Sequence, residues 1–164
     1  MRKRLEDELY PGVATWLALH LRGKFPRADV NTYDTHSVDL RTVLRQRGLH
    51  GRFQDSDAYE IQVDVTGVVQ DKDKVRLAFV ECKVGPITLG DVGQMLGYCL
   101  VALPEWSYLI SPAGLSDRLS KLLITYGRYD ILSYGKGNHI RIAQWNMGRN
   151  EIDVSSLVPR GTHI

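Results

Sequence analysis

Cysteine is scarce in this chain. Its 164 residues hold only Cys82 and Cys99, too few for a four-thiolate zinc site or a common iron–sulfur cluster. No iron–sulfur cofactor is therefore expected, and the two thiols read as small buried side chains. Long apolar runs are missing as well: none reaches the roughly 18 residues that a membrane span requires. The charged segment from Met1 to Glu8 has no apolar stretch behind it, so a signal peptide is not expected. Together these absences predict a cytoplasmic protein with no membrane partner, in which a disulfide would be out of place. A strong charge of either sign is also lacking. A net charge of +2 neither demands nor excludes a nucleic-acid partner.

What is present suits one globular domain. Apolar residues make up 43% and charged residues 24% of the chain, ordinary values for a folded domain of this length. No repeat, low-complexity segment or linker interrupts it. Residues 1–150 are read as a single domain and 151–164 as a tail. Within the tail, Leu157-Val158-Pro159-Arg160-Gly161 resembles a thrombin-cleavage tag and is set aside.

Periodicity predicts a helix over 3–22, with Pro11 either kinking it or opening a second helix. A short strand follows over 28–35, then a short helix or ordered loop over 39–47. Strands are expected over 58–70 and 74–84, a helix over 88–102 entered at Thr88, a strand over 106–110 and a helix over 115–126. Closing strands fall at 130–134 and 139–145. The order predicts an α/β (α+β) fold, a mixed central β-sheet flanked by α-helices.

The chemistry gathers on the central hairpin. A two-residue turn at Lys72-Asp73 puts Asp71 opposite Lys74 and, further along, Asp64 opposite Glu81 and Gln62 opposite Lys83. Alternation then gives Glu60, Gln62, Asp64, Glu81 and Lys83 one face, and Ile61, Val63, Val65, Val80, Cys82 and Val84 the other. Nearer the turn the polar face becomes apolar, at Val68, Leu77 and Phe79, as at the edge of a buried site. Opposed carboxylates repel, and a hard divalent cation between them reverses the sign. The main-chain carbonyl of Cys82 is a further candidate ligand. The Lys83 ammonium is placed to orient or deprotonate a water, or to neutralise charge on a phosphate.

The helix that follows carries Gln94 and Tyr98, four residues apart and so on one face. Gly90, Gly93 and Gly97 weaken it by roughly 1 kcal/mol each, which points to close packing or to a closely approaching ligand backbone. Basic clusters occur at Arg2, Lys3 and Arg4 and at Arg41, Arg45 and Arg47, and Arg118 and Lys121 line the polar side of the later helix.

Asp64, then Glu81-Cys82-Lys83, then Gln94-x-x-x-Tyr98, resembles the PD-(D/E)xK nuclease superfamily over roughly residues 5–110. The added Gln/Tyr pair is most similar to RecB-like nucleases. The resemblance implies a restriction-endonuclease-like fold and a DNA nuclease or endonuclease acting in repair, recombination or defence. It makes Asp64 and Glu81 ligands of Mg²⁺ or Mn²⁺, Lys83 the catalytic lysine, and Gln94 and Tyr98 accessory groups. The products implied are a 5′-phosphate and a 3′-hydroxyl. A further acid from the first helix is also implied, with Glu8 the candidate, Glu6 the runner-up and Glu60 an alternative. Arg118 and Lys121 are candidate DNA-backbone contacts. Val63 stands where many members carry proline. A homodimer, a Holliday-junction resolvase, a non-cleaving nucleic-acid-binding domain and a purely structural ion-pair network stay open as alternatives.

Overall fold

Val13, Leu17 and Leu21 recur at helical spacing and form the buried stripe of α1 (Tyr10–Lys24), whose first turn holds Pro11, where the missing N–H costs no helical hydrogen bond. The computed structural model describes residues 5–162, so Arg2, Lys3 and Arg4 lie outside the described residues. Residues 5–6 are helical and 7–9 form a turn, so Pro11 opens a second helix rather than kinking one long helix.

After α1 come β1 (Asp29–Asp34), α2 (Leu40–Gln46), β2 (Val65–Asp71) and β3 (Lys74–Cys82). Next are α3 (Leu89–Ala102), β4 (Trp106–Ser111), α4 (Asp117–Ser120), β5 (Ser133–Tyr134), β6 (Asn138–Asn146) and β7 (Glu151–Val158). The strands form one seven-stranded mixed sheet in the order β1-β2-β3-β4-β6-β5, with β7 also on β6. β1, β2 and β3 are antiparallel neighbours, whereas β3 to β4 and β4 to β6 are parallel. The first parallel step crosses over through α3 and the second through α4. α1 covers one face of the sheet and α3 covers the other, each over its own apolar core.

The hairpin register is the expected one, from Asp71↔Lys74 to Val65↔Val80, with Lys72 turning at φ 51°. Its first strand is shorter than expected. β2 begins only at Val65, and the chain before it is held from the side: Leu40 N–H donates to the Ile61 carbonyl at 2.8 Å and Thr35 N–H to that of Asp64 at 2.9 Å. This corrects the expected faces. Ile61 and Val63 join the α3-side core with Leu77 and Phe79, while Val65, Val80 and Cys82 pack on the α1 side. Glu60 and Gln62 are exposed, and the Gln62 amide donates to Asp39 at 3.1 Å.

The boundary at residue 150 is also corrected. β7 pairs with β6, and Ile152, Leu157 and Val158 are buried, so the segment set aside as a tail belongs to the sheet.

Gly67 lets α1 approach β2. A Cβ there would lie 2.8 Å from Leu21 Cδ1, 3.1 Å from Leu17 Cδ2 and 3.2 Å from the Ala78 Cβ. Gly67→Val is expected to lower stability by about 1–3 kcal/mol through overpacking, read as a reduced urea midpoint with unchanged slope. An unshifted midpoint would show that the layer relaxes freely.

Candidate active site

Because β2 and β3 are antiparallel, the residue entering β2 lies beside the end of β3. That places Asp64, just ahead of Val65, next to Glu81. The parallel crossover then carries the chain from β3 into α3, so the first turns of α3 rise beside the same strand end. Ligand clefts of open α/β sheets form at such carboxyl ends of strands.

Asp64 is fixed by a backbone donor. Its Oδ2 accepts the Cys82 N–H at 2.7 Å, and the nearby Tyr10 hydroxyl favours the charged form of the same carboxyl. Glu81, only 4% exposed, meets Lys83 Nζ at 2.9 Å through Oε1. The Gln94 amide donates to the same Oε1 at 3.4 Å and to Tyr98 Oη at 3.3 Å. Glu81 Oε2 is buried with no hydrogen-bond partner. An orphaned carboxylate oxygen is costly inside a protein. Here the charge of Asp64 adds to that cost, while Lys83 and the Asp64 N–H act the other way.

Electrostatics bear this out. Burial first, then the Asp64 carboxylate, pushes Glu81 up to about 7. Burial also raises Asp64, against the lowering effect of the Cys82 N–H, the Tyr10 hydroxyl and Lys83. Burial alone would lower Lys83, but Glu81, Asp64 and Asp91 together outweigh it and hold the ammonium above the ordinary lysine value. Burial and the adjoining acids push the Cys82 thiol up, so it stays neutral. Among the described residues, the pair Asp64 and Glu81 therefore has one positive partner, Lys83, and a shortage of positive charge.

Among the described residues, no group of three His, Cys, Asp or Glu side chains is placed to hold a metal ion. A full protein cage is not what Mg²⁺ needs, since it keeps several waters and binds through one or two carboxylates. The orphaned Glu81 oxygen beside Asp64 fits such an ion. Cys82, expected to offer its carbonyl, lies between Glu81 and Lys83 in the chain and gives its N–H to Asp64.

The other expected residues are distributed as follows. Glu8 is exposed, whereas Glu6 lines a cleft of about 280 Å³ with Lys83, Thr88 and Asp91 and acts on the charge of Asp64. Of the two first-helix candidates it is thus Glu6, the runner-up, that lies toward the Lys83 cleft, and Glu60 stays in the irregular segment before β2. Gly93 and Gly97 face open space, and Gly90 meets only the Thr88 hydroxyl at 3.6 Å, so packing within the domain does not explain them. Arg118 and Lys121 line a larger neighbouring cleft. Arg41 and Arg45 pair with Asp39 and Asp57, and Arg47 lies over the Tyr33 ring.

Sequence reasoning missed two participants. Tyr10 was read only as a helix residue. Asp91 closes the capping box with Thr88, at 2.8 Å from its N–H and 2.7 Å from its hydroxyl, and its other oxygen lies 4.0 Å from Lys83 Nζ. The Thr-x-x-Asp spacing ahead of α3 was an available signal. Cys82 and Cys99 are free and buried, as expected. No helix of the described residues is long and apolar enough to cross a membrane. No family model, curated protein or solved structure matches the chain, so these residues alone carry the resemblance to the nuclease superfamily.

Proposed function

We propose that the protein is a Mg²⁺- or Mn²⁺-dependent nuclease that hydrolyses DNA phosphodiester bonds, with a restriction-endonuclease-like fold. The single observation that carries this reading is the buried, partnerless Oε2 of Glu81 beside Asp64, with Lys83 Nζ at 2.9 Å from the other Glu81 oxygen. Asp64 and Glu81 would hold the ion. When bound, it supplies Lewis-acid polarisation of the phosphate and acidifies water.

The chain's own groups have separate tasks. The Cys82 N–H fixes the orientation of Asp64, and the Tyr10 hydroxyl favours its charged form. Lys83 Nζ, kept protonated by its acid neighbours, orients the attacking water and offsets charge that develops on the phosphate. Gln94 holds Glu81 Oε1 and is itself braced against Tyr98. Arg118 and Lys121 would contact the DNA backbone without reading sequence.

The direct test incubates plasmid and oligonucleotide DNA with Mg²⁺ or Mn²⁺, against EDTA. Cleavage in the metal lanes only is expected. Intact DNA throughout, with no heat of metal binding in calorimetry, would favour a structural ion-pair network instead.

Gln94→Ala is expected to raise the Mg²⁺ concentration needed for half-maximal cleavage by about tenfold, the usual scale for a residue that braces a metal ligand. A wild-type curve across a magnesium titration would remove Gln94 from the site.

A further inference from the structure

Next to the Lys83 cleft, and sharing Thr88 with it, lies a cleft of about 610 Å³. That is well within the ~300–1,000 Å³ range of small-ligand sites. Leu89 and Leu122 contribute apolar wall, and Arg118, Lys121 and Tyr126 complete the mouth. Tyr126 is 64% exposed although it shares this cleft with the buried Leu119. The backbone explains its direction. α4 passes into a π-helical turn, Lys121–Thr125, and the Tyr126 N–H donates to the Lys121 carbonyl at 3.1 Å. The wider turn brings residues five apart onto one side, so Lys121 Nζ stands 5.8 Å from the centre of the Tyr126 ring. Such turns concentrate at functional sites. Among the described residues, neither Arg118 nor Lys121 forms an ion pair with an acid.

An exposed ring with Lys121 over one face, in a cleft also lined by Arg118, Leu89 and Leu122, has the makings of a stacking platform for an unpaired base on its other face. The ring takes the base, and the cations take the phosphates on either side. A second copy of the chain or an acidic peptide would not need the ring's open face. We propose that this cleft binds an unpaired nucleotide of the DNA strand that runs on from the Lys83 site, and that the preferred substrates therefore carry single-stranded segments. The proposal rests on the nuclease reading for its biological use, but binding itself requires no cleavage. Few polar groups face the cleft: the Thr88 hydroxyl is committed to Asp91 and the Ser116 oxygen accepts the Leu119 N–H. Stacking without base-edge readout makes the site indifferent to sequence.

The test measures binding in EDTA of a fluorescein-labelled oligothymidylate carrying one internal 2-aminopurine. Tyr126→Ala is expected to weaken binding by about tenfold or more and to abolish the change in 2-aminopurine emission. Tyr126→Phe should keep both, and circular dichroism checks that each variant is folded. Affinity and emission that are the same in Tyr126→Ala as in the unaltered protein would overturn the stacking site, even if Arg118→Ala and Lys121→Ala bind weakly. The outcomes separate the two readings. A protein that cuts DNA but ignores Tyr126→Ala loses the pocket alone. One that binds through Tyr126 but never cuts loses the nuclease reading and keeps the pocket.

Discussion

Asp64→Asn, Glu81→Ala and Lys83→Ala are each expected to lower Mg²⁺-dependent DNA cleavage by on the order of a thousandfold, with the fold retained. The choice of asparagine matters. Asp64 Oδ2 accepts the Cys82 N–H at 2.7 Å inside the sheet. Alanine there would strand a buried donor at a cost of about 1–3 kcal/mol, and lost activity could then be blamed on a damaged strand end. Asparagine keeps an acceptor and removes the charge. Lys83→Ala acts differently. It withdraws the one cation that lowers Glu81, so the carboxyl holds its proton to a higher pH and metal demand should rise along with the loss of rate. Cleavage by purified Asp64→Asn at the unaltered rate would end the assignment. Cleavage lost in all three, with unchanged circular dichroism and urea midpoints for Asp64→Asn, would place the chemistry at these side chains rather than in the general stability of the domain.

The hairpin that builds this site was legible because its signals are local. The polar turn around Lys72 and Asp73 sets the register, and alternating apolar residues set the faces of β2 and β3 beyond Val65. Asp64, Glu81 and Lys83 follow from that register, and the face carrying Val68, Leu77 and Phe79 turns apolar where expected. The misread parts depend on distant chain. Residues 59–63 alternate like a strand, yet bonds from Thr35 and Leu40 hold them out of the ladder, and no local pattern announces such bonds. Tyr10 reaches Asp64 only because α1 packs over β2 at Gly67. Glu6 rather than Glu8 lines the cleft because a turn at 7–9 breaks the helical phase. β7 was masked by a tag-like string, and the register shift in its pairing to β6, between Ile142 and Gln144, blurs the strict alternation that would have marked it.

The acid pair also makes the metal-free protein sensitive to pH, in a direction that separates a metal site from an ion-pair network. The ordinary Glu value is 4.5, and burial, with Asp64 alongside, holds Glu81 at about 7 in the folded chain. Between these pH values the folded state keeps a proton that the unfolded state has released, so stability falls as pH rises through the window. Asp64 is raised too, and pushes the same way. At about 1.4 kcal/mol per pH unit, the loss for Glu81 is up to about 3 kcal/mol, or roughly 2–4 °C of melting temperature per kcal/mol for a chain of this size. In EDTA the unaltered protein should therefore lose several degrees more than Glu81→Gln between pH 5 and pH 8, a comparison that cancels the opposing contribution of His20, which burial lowers to about 4. Mg²⁺ at a hundred times its Kd should restore about 2.7 kcal/mol at pH 8, and Glu81→Gln should not respond. A structural ion pair predicts no such difference between the two proteins. Lys83 would then hold Glu81 below its ordinary value, its contribution would stay nearly constant from pH 5 to 8 and fall away only at lower pH, and magnesium would leave both proteins unmoved. Measured melting curves that run that way would show that the buried carboxylates have already found their counter-charge in Lys83 and need no ion.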